Sequence, residues 1–345
     1  MKKIKVGVIG YGTIGQRLAD AVDLQGDMEL VGVSDVYPTL SIRALFEQGM
    51  PYRLYLSDNK YVPMFKELGI PTSGSFEDLV KECDILLDST PAGIGAENKK
   101  MYLKYNKNAI FQGGESNEVA DVFFHGTANY EKGVGVKYLK LTSCNTTGLI
   151  RSIRVLNDQF GIDDVAITII RRAADPGDYN RGLTNALKID AAPSHQAVDL
   201  AKILPTIKAT GILIHTPVTH GHIITVIAKG KSRITKEEAV KAFNSENRIR
   251  VVSTQDGFLG NASFFKYARD LGHKRGDMYE IGLWEDSITE FDGGVMFAIN
   301  IPQESVTIPE TIDAIRASMK MQLTKEEGTK LTNKYLKIGV NPFAK

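Results

Sequence analysis

A glycine-rich turn between an apolar segment and a helix-like segment constrains the fold of this chain more than any other feature. Residues 4–9 (IKVGVI) are mostly apolar, as expected for a central parallel strand that is buried on both faces. The sequence GYGTIG follows at residues 10–15 and leads into the helix-like stretch QRLADAVDLQ. In such a turn Gly10 permits the tight bend, Gly12 lets the backbone approach a pyrophosphate, and Gly15 allows close helix packing. This motif between a strand and a helix predicts a dinucleotide-binding site, against the alternative of a plain strand–turn–helix.

Asp35 lies about twenty residues beyond Gly15, after a second predicted strand at residues 28–33. An acidic side chain in this position binds the ribose hydroxyls of the adenosine and disfavours the extra phosphate of NADP. Residues 34–41 contain no lysine or arginine, although Arg43 follows shortly after. The alternative is a loop aspartate that caps the next helix. The sequence therefore predicts NAD, NADP or both as cofactor, and Asp35 favours NAD.

The first part of the chain alternates strand-like and helix-like segments. Further strands are predicted at residues 84–89 and 109–112, and the second of them ends in a glycine turn that contains Gly114. Repeated alternation is typical of a doubly wound α/β domain, in which ligands bind at the carboxyl ends of the strands. We predict an N-terminal Rossmann dinucleotide-binding domain over residues 1–141.

Cys144 lies where a strand-like run at residues 136–141 changes to a helix-like one. Small polar residues surround it: Thr142, Ser143, Asn145, Thr146 and Thr147. A thiol at the start of a helix lies close to free backbone N–H groups and to the positive end of the helix dipole, and both favour the nucleophilic thiolate. The alternative is a small buried hydrophobe, which is the usual fate of a free cysteine. The other cysteine, Cys83, has a plain strand context and is predicted to lie in the core.

Beyond Cys144 a helix is predicted over residues 147–159, and the alternating pattern then ends. Longer strands separated by loops are expected at residues 165–171, 223–228 and 295–301. Such strands favour a mostly antiparallel sheet with helices on one face, which is an α+β arrangement. We predict a catalytic domain over residues 142–302, followed by a C-terminal helical segment over residues 303–345.

Two arginines and two histidines are further candidates for a functional site. Arg171 and Arg172 end a predicted strand, where adjacent arginines either bind anions or are solvated edge charges. His220 and His222 are two residues apart, so that in an extended strand they would share one face. A thiol enzyme needs a group within hydrogen-bond reach to take or give a proton. A structural histidine pair is the alternative, and no metal site is predicted because no carboxylate or cysteine cluster accompanies the histidines.

Composition excludes several classes of protein. The chain has 345 residues, more than one hydrophobic core normally holds, and two domains are expected. Its 42 basic and 41 acidic side chains give a net charge of +1, without the basic excess of a dedicated nucleic-acid binder. No apolar run approaches the length that spans a bilayer, and two cysteines do not make a disulfide framework. We expect a cytoplasmic protein with neither a nucleic-acid nor a membrane partner.

Seven stretches of the sequence together resemble one family, the archaeal-type phosphorylating glyceraldehyde-3-phosphate dehydrogenases. They are GYGTIGQRLADAV, FQGGE, TSCNTTGLIR, RRAADP, PSHQAVD, HTPVTHGH and IPETIDAIRA. The resemblance implies oxidation of glyceraldehyde 3-phosphate through a thioester, hydride transfer to NAD or NADP, and release of 1,3-bisphosphoglycerate by inorganic phosphate, in glycolysis or gluconeogenesis. It also implies a homotetramer and a last helix that returns to the nucleotide-binding domain.

The resemblance assigns roles residue by residue. Cys144 would be the nucleophile, and either His220 or His222 would be its base. Cofactor contacts are implied for Thr13, Ile14, Gly114, Arg172 and Gln303. Substrate contacts are implied for Ser143, Asn145, Thr146, Arg171, His195, Gln196 and Ala197, with Thr147 as a further candidate for holding phosphate. The family reads closer to His-His-Gly at the stretch His195-Gln196-Ala197, and it often has a lysine where this chain has Asp35.

Two other kinds of function stay open on the sequence. An aspartate-semialdehyde dehydrogenase or a related acyl-phosphate reductase would share the fold and the thiol chemistry, but it would need an arginine placed to bind a substrate carboxylate. A non-catalytic dinucleotide-binding or RNA-binding protein is disfavoured by the near-zero net charge and by the intact set of cysteine and histidines.

Overall fold

The computed structural model describes residues 3–172 and 187–339, which form two compact units. The first unit consists of Met1–Thr142 together with Ile308–Leu336, and the second of Ser143–Thr307 together with Lys337–Lys345. The AADP part of the RRAADP motif lies outside the described residues. Among the helices that the structure describes, none has the length and apolar character needed to cross a membrane.

The first unit is built on a parallel sheet. Its strands are β1 (Ile4–Ile9), β2 (Met28–Asp35), β3 (Leu54–Leu56), β4 (Gly74–Ser75), β5 (Ile85–Asp88), β6 (Asn108–Phe111), β7 (Val122–Phe124) and β8 (Tyr138–Leu141). Their order is β4-β3-β2-β1-β5-β6-β8-β7, and every pairing is parallel. The direction of winding reverses between β1 and β5, which is the switch point where ligands bind in such sheets. The predicted Rossmann-type α/β architecture is confirmed.

Five helices alternate with these strands. They are α1 (Thr13–Asp23), α2 (Leu40–Glu47), α3 (Val62–Glu67), α4 (Phe76–Glu82) and α5 (Ile94–Lys104). Helix α4 begins with a capping box, in which Ser75 and Asp78 satisfy each other's backbone N–H groups. Cys83 is fully buried in the core of this unit, as predicted. The three-residue strand β3 was not expected, because a strand so short shows no periodicity in the sequence.

The second unit is built on another sheet with helices packed against it. Its strands are β9 (Ile162–Arg172), β10 (Lys188–Ile189), β11 (Lys208–Thr216), β12 (His222–Gly230), β13 (Ile249–Val252), β14 (Ile281–Trp284), β15 (Thr289–Phe291) and β16 (Gly294–Ile301). Its helices are α6 (Cys144–Phe160), α7 (His195–Ile203), α8 (Lys236–Asn244) and α9 (Asn261–Asp270). The strand order is β10-β11-β9-β12-β16-β14-β13, with β15 beside β16.

This second sheet is mixed, which corrects the expectation of a mostly antiparallel sheet. Strand β11 runs parallel to β9, and β13 runs parallel to β14. Parallel neighbours need a crossover connection, and α7 and α9 supply it here. Strand lengths in the sequence do not reveal which strands become neighbours, so this pairing could not be read from periodicity.

The two faces of the second sheet carry different helices. Helix α6 packs against β9, β12 and β16, and Gly148 brings it close, since a β-carbon there would lie 2.1 Å from Ile301 Cδ1. The side chain of Ile223, which follows His222 in β12, joins a cluster with Phe264 and Trp284 that belongs to α9 and β14. Because successive residues of a strand point to opposite faces, His222 faces α6 and Ile223 faces α9.

Two further helices complete the first unit, α10 (Ile308–Ser318) and α11 (Lys325–Leu336). Both lie in the C-terminal segment, residues 303–345, that was predicted to be helical. All eleven residues of α10 are buried. Its Arg316 donates to Asp27 at 2.8 Å, to Gln25 at 2.9 Å and to Thr332 at 2.8 Å, which ties both helices to the start of β2.

Candidate active site

Cys144 is the first residue of α6, directly after the N-cap residue Ser143. The Ser143 hydroxyl accepts the backbone N–H of Thr146 at 3.4 Å and lies 2.9 Å from the Thr146 hydroxyl, which fixes the start of the helix. The thiol therefore lies in the first helical turn, where backbone N–H groups lack intrahelical partners. Cys144 is partly exposed, whereas Cys83 is buried and burial raises the pKa of its thiol.

His222, the first residue of β12, lies beside this thiol. Its Nε2 is 3.7 Å from Cys144 Sγ, and its Nδ1 accepts the backbone N–H of Arg172 at 3.1 Å. The side chain is fully buried. Burial, followed by the positive charges of Arg172 and Arg171, holds the pKa of His222 well below its usual range.

His220 lies elsewhere, because the chain is not extended between the two histidines. Gly221 has φ +69°, and β12 begins only at His222. The ring of His220 packs edge-on against Phe265 at 4.9 Å, and its Nδ1 lies 3.1 Å from the Thr219 hydroxyl. The expected common strand face is thus absent for this pair.

His220 lines a pocket of about 390 Å³ that also includes residues of α9, the pair Phe264 and Phe265 among them. Arg172 and Asn300 contribute to the same wall. Sequence reasoning missed this pocket, because its walls come from segments that are far apart in the chain.

The two adjacent arginines have different surroundings. The Arg172 guanidinium is buried and donates to the Thr219 carbonyl at 2.8 Å, to Glu304 at 3.1 Å and to the side-chain oxygen of Gln303. Arg172 and Gln303, which the resemblance assigns to one site, are therefore in direct contact. Arg171 is half-buried, and its carbonyl accepts the Thr216 hydroxyl at 3.3 Å.

The remaining substrate candidates lie in the first turns of α6 and α7, two helices that pack together. Ser194 caps α7, and His195 is exposed while Gln196 and Ala197 are buried. Two side-chain oxygens in these turns, Asn145 Oδ1 and Gln196 Oε1, are buried and have no hydrogen-bond partner among the described residues. An unsatisfied buried amide group costs about 1–3 kcal/mol, so each of these oxygens is able to accept a hydrogen bond from a bound ligand.

The glycine turn of the first unit has the geometry of a pyrophosphate cradle. Gly10 has φ +83°, and a β-carbon on Gly15 would lie 1.8 Å from the Gly10 carbonyl oxygen, so neither position tolerates a side chain. A β-carbon on Gly12 would meet nothing within 4 Å, which leaves open space beside the loop. Thr13 and Ile14 begin α1. These features fit a bound dinucleotide phosphate at the N-terminus of α1.

Asp35 ends β2 and is linked to the glycine turn. Its carboxylate accepts the N–H of Tyr11 at 3.0 Å and that of Val36 at 2.7 Å. Burial raises the pKa of Asp35, and these backbone N–H groups act against that rise. Helix α2 is capped by Thr39, so Asp35 does not cap the next helix.

Two supporting residues of the nucleotide unit were not predicted. The Ser89 hydroxyl donates to the carbonyl of Gly10 at 2.7 Å, which holds the glycine turn against the end of β5. Glu115, next to Gly114, accepts the N–H of Gly95 at 2.7 Å in the first turn of α5. An acidic residue directly after the FQGG turn was the signal that could have indicated this contact.

No group of three or more histidine, cysteine, aspartate or glutamate residues that could hold a metal ion occurs among the described residues.

Comparison with known proteins gave matches to both units. The family model for the C-terminal domain of glyceraldehyde 3-phosphate dehydrogenase matches residues 143–286, and that for the N-terminus of dihydrodipicolinate reductase matches residues 4–119. A glyceraldehyde-3-phosphate dehydrogenase of Sulfolobus acidocaldarius is 39% identical over 342 residues, which cover 98% of both chains. Those of Thermococcus sibiricus and Archaeoglobus fulgidus are each 40% identical, and they cover 97% and 98% of this chain and 99% of their own.

Proposed function

Because this chain belongs to the glyceraldehyde-3-phosphate dehydrogenase family, we propose that it oxidises glyceraldehyde 3-phosphate to 1,3-bisphosphoglycerate, with inorganic phosphate and NAD or NADP as co-substrates. Similarity over nearly the full length of relatives from several archaea supports this activity over that of a semialdehyde dehydrogenase or a non-catalytic binding protein. The reaction would serve glycolysis or gluconeogenesis in the cytoplasm, and the active form would be a homotetramer.

The observation that carries the proposal is the 3.7 Å distance between Cys144 Sγ and His222 Nε2 at the N-terminus of α6. The first-turn N–H groups and the helix dipole favour a thiolate on Cys144. Attack of this thiolate on the aldehyde carbon forms a hemithioacetal, whose oxygen the N–H groups near Asn145 can stabilise. His222, and not His220, is the histidine that serves the reacting thiol in this proposal.

The dinucleotide would bind to the glycine turn, with Thr13, Ile14 and Gly114 as further contacts and Asp35 at the ribose. Gly12 leaves the space that a pyrophosphate needs. When bound, the nicotinamide accepts the hydride that leaves the substrate carbon. Arg172 and Gln303 are further candidates for cofactor binding, and their side chains bind each other.

The substrate would lie along the first turns of α6 and α7. The unpaired oxygens of Asn145 and Gln196 can accept a hydrogen bond from a substrate hydroxyl, which supports a role for both residues. The two phosphate groups of the reaction need donors, and Arg171, Thr146 and His195 are the candidates. Ser143 and Ala197 belong to the N-terminal caps of α6 and α7, which supports their place among the substrate candidates.

The proposal is tested by the reduction of NAD and of NADP with glyceraldehyde 3-phosphate, each with and without inorganic phosphate. We expect turnover that needs phosphate and that Cys144→Ser abolishes. Cys83→Ala is the matched control, because Cys83 lies in the core of the first unit, and it should keep its activity. A protein that binds the cofactor but oxidises the aldehyde equally fast without phosphate would contradict the phosphorylating activity.

A further inference from the structure

The pocket beside His220 contains a buried polar group that the second unit leaves unpaired. Asn300 lines this pocket and is only 2% exposed. Its Oδ1 is buried and has no hydrogen-bond partner among the described residues. A buried acceptor without a partner costs free energy, which a ligand with a hydrogen-bond donor would recover.

Asn300 points to the face of the second sheet that is opposite to Cys144. A β-carbon on Gly148 of α6 would lie 2.1 Å from Ile301 Cδ1, so Ile301 faces α6. Because successive residues of a strand point to opposite faces, Asn300 faces α9. The sheet therefore separates the side chain of Asn300 from the pair of Cys144 and His222.

Two aromatic rings of α9 are held beside Asn300 by glycines. A β-carbon on Gly282, the residue of β14 that pairs with Asn300, would lie 2.1 Å from the Phe264 ring. A β-carbon on Gly276, which has φ +69°, would lie 2.7 Å from the Phe265 ring. Both rings thus occupy space that a side chain at these glycines would fill. Further apolar walls of the pocket come from Met278 and Pro302.

The charged residues in the wall of the pocket are paired. Arg172 donates to Glu304 at 3.1 Å, and Arg275 lies 3.5 Å from Asp277. A charged ligand would have to compete with these ion pairs, whereas a neutral one would leave them intact. The volume of about 390 Å³ lies in the range of small-molecule sites, which are mostly apolar with a few polar groups. The walls therefore favour a neutral small molecule.

The side-chain amide of Asn300 fits one kind of planar ligand. It offers an acceptor, Oδ1, beside a donor, Nδ2. Adenine presents the complementary edge, with its 6-amino group as donor and N7 as acceptor, whereas the guanine edge has acceptors in both positions. A guanine-type edge would leave Oδ1 unpaired. A flat heterocycle would also pack well against aromatic walls.

We propose that the pocket between α9 and β16 is a separate binding site for a neutral adenine nucleoside, whose base contacts Phe264 and Phe265 and pairs with Asn300. The proposal goes beyond the dehydrogenase function and does not depend on it. Arg172 and Gln303, both candidates for cofactor binding, form part of the wall. The binding experiment is therefore done with the cofactor present.

Isothermal titration calorimetry with adenosine tests the proposal. The full chain is first saturated with NADH, which fills the adenine subsite of the cofactor. Inosine is the matched ligand, because it differs only by an oxygen in place of the 6-amino group. We expect adenosine to bind once per chain and inosine to bind at least about tenfold more weakly. No binding of adenosine, equal binding of the two nucleosides, or adenosine binding that NADH abolishes would each overturn the proposal, whether or not the protein is an active dehydrogenase.

Two variants locate the bound nucleoside. Asn300→Leu removes the acceptor without leaving another polar group unpaired, and it should weaken adenosine binding by at least about tenfold. Phe265→Ala removes one aromatic wall and should weaken adenosine binding about tenfold, so it tests the site even if Asn300→Leu does not fold. Phe291→Ala is the matched control, since Phe291 is exposed on β15 outside the pocket, and it should bind adenosine as the wild type does. Wild-type affinity for adenosine in a folded Asn300→Leu or Phe265→Ala variant would reject the proposal.

Discussion

At the scale of single residues, backbone N–H groups fix the orientation of side chains in the candidate site. Asp35 is an example, because its carboxylate is held by the N–H groups of Tyr11 and Val36 at the end of β2. A 2′-phosphate on the adenosine ribose would bring a second negative charge close to this carboxylate. The repulsion between these two negative charges would be large enough to change the preference between NAD and NADP.

We expect Asp35→Asn to raise the ratio of kcat/KM for NADP over that for NAD by about ten- to hundredfold, because it removes the charge and keeps the shape. Fluorescence titration with NADH and NADPH measures the same change as binding. Asp58→Asn is the matched control, since Asp58 follows the neighbouring strand β3 and is paired with Lys60 at 2.7 Å. In this variant the ratio of kcat/KM for NADP over that for NAD should stay unchanged. An unchanged ratio in Asp35→Asn would show that Asp35 does not select the cofactor.

The two cysteines should differ sharply in reactivity. Cys144 is partly exposed at a helix N-terminus, whereas Cys83 is fully buried and its pKa is raised by burial. Brief treatment of the native protein with iodoacetamide should therefore give a single adduct on the peptide that contains Cys144. Peptide mass spectrometry measures this outcome, and a comparable rate of modification at Cys83 would contradict the assignment of the nucleophile.

At the scale of helices and strands, features set by neighbouring residues could be predicted from the sequence, whereas the pairing of distant strands could not. The glycine turn between β1 and α1 and the start of α6 near Cys144 are encoded by neighbouring residues, and both could be predicted. The parallel pairing of β9 with β11 depends on a crossover through α7, which no period in the strands reveals. Which of His220 and His222 lies beside Cys144 depends on the φ of Gly221, and a glycine in the sequence permits that conformation without requiring it.

Arg151 belongs to one of the sequence motifs, but its hydrogen bonds hold helix α6 in place. It belongs to the TSCNTTGLIR stretch, yet it is fully buried in α6 and donates to the carbonyls of Tyr279 at 2.6 Å and Val306 at 2.7 Å. The sequence offered no sign of this, because the acceptors are backbone groups far along the chain. Helix α6, which begins with Cys144, is held in the second unit by this side chain.

We expect Arg151→Met to lower the free energy of unfolding by about 2–4 kcal/mol, because it leaves buried carbonyls without a donor. Urea unfolding followed by Trp284 fluorescence measures the change, since this single tryptophan belongs to the second unit. Lys202→Met, which removes the surface pair with Asp199 at 3.2 Å, should change stability by less than about 1 kcal/mol. A similar small loss in Arg151→Met would mean that water satisfies the carbonyls.

At the scale of the whole molecule, the chain divides into two units whose stabilities rest on different buried charges. In the first unit, Arg316 of α10 is neutralised by Asp27 at 2.8 Å, so the segment that follows the second unit in sequence completes the first. In the second unit, His222 is buried, and the described groups that act on its pKa, Arg172, Arg171 and His215, all lower it. We therefore expect mild acid to destabilise the second unit through His222.

The sign of this effect follows from the lowered pKa of folded His222. Below about pH 6.5 the unfolded chain binds a proton at His222 that the folded chain does not, so the free energy of unfolding falls as the pH drops from about 6.5 towards the folded pKa. Above about pH 6.5 both states are neutral at this residue and the effect vanishes. We expect the urea midpoint of the Trp284 transition to fall between about pH 7.5 and 5.5, and to fall less in His222→Gln. In His220→Gln the midpoint should fall as far as in the wild type, since His220 lies outside the buried pair with Cys144. Equal acid sensitivity in His222→Gln and the wild type would show that burial in the folded protein does not disfavour the protonation of His222.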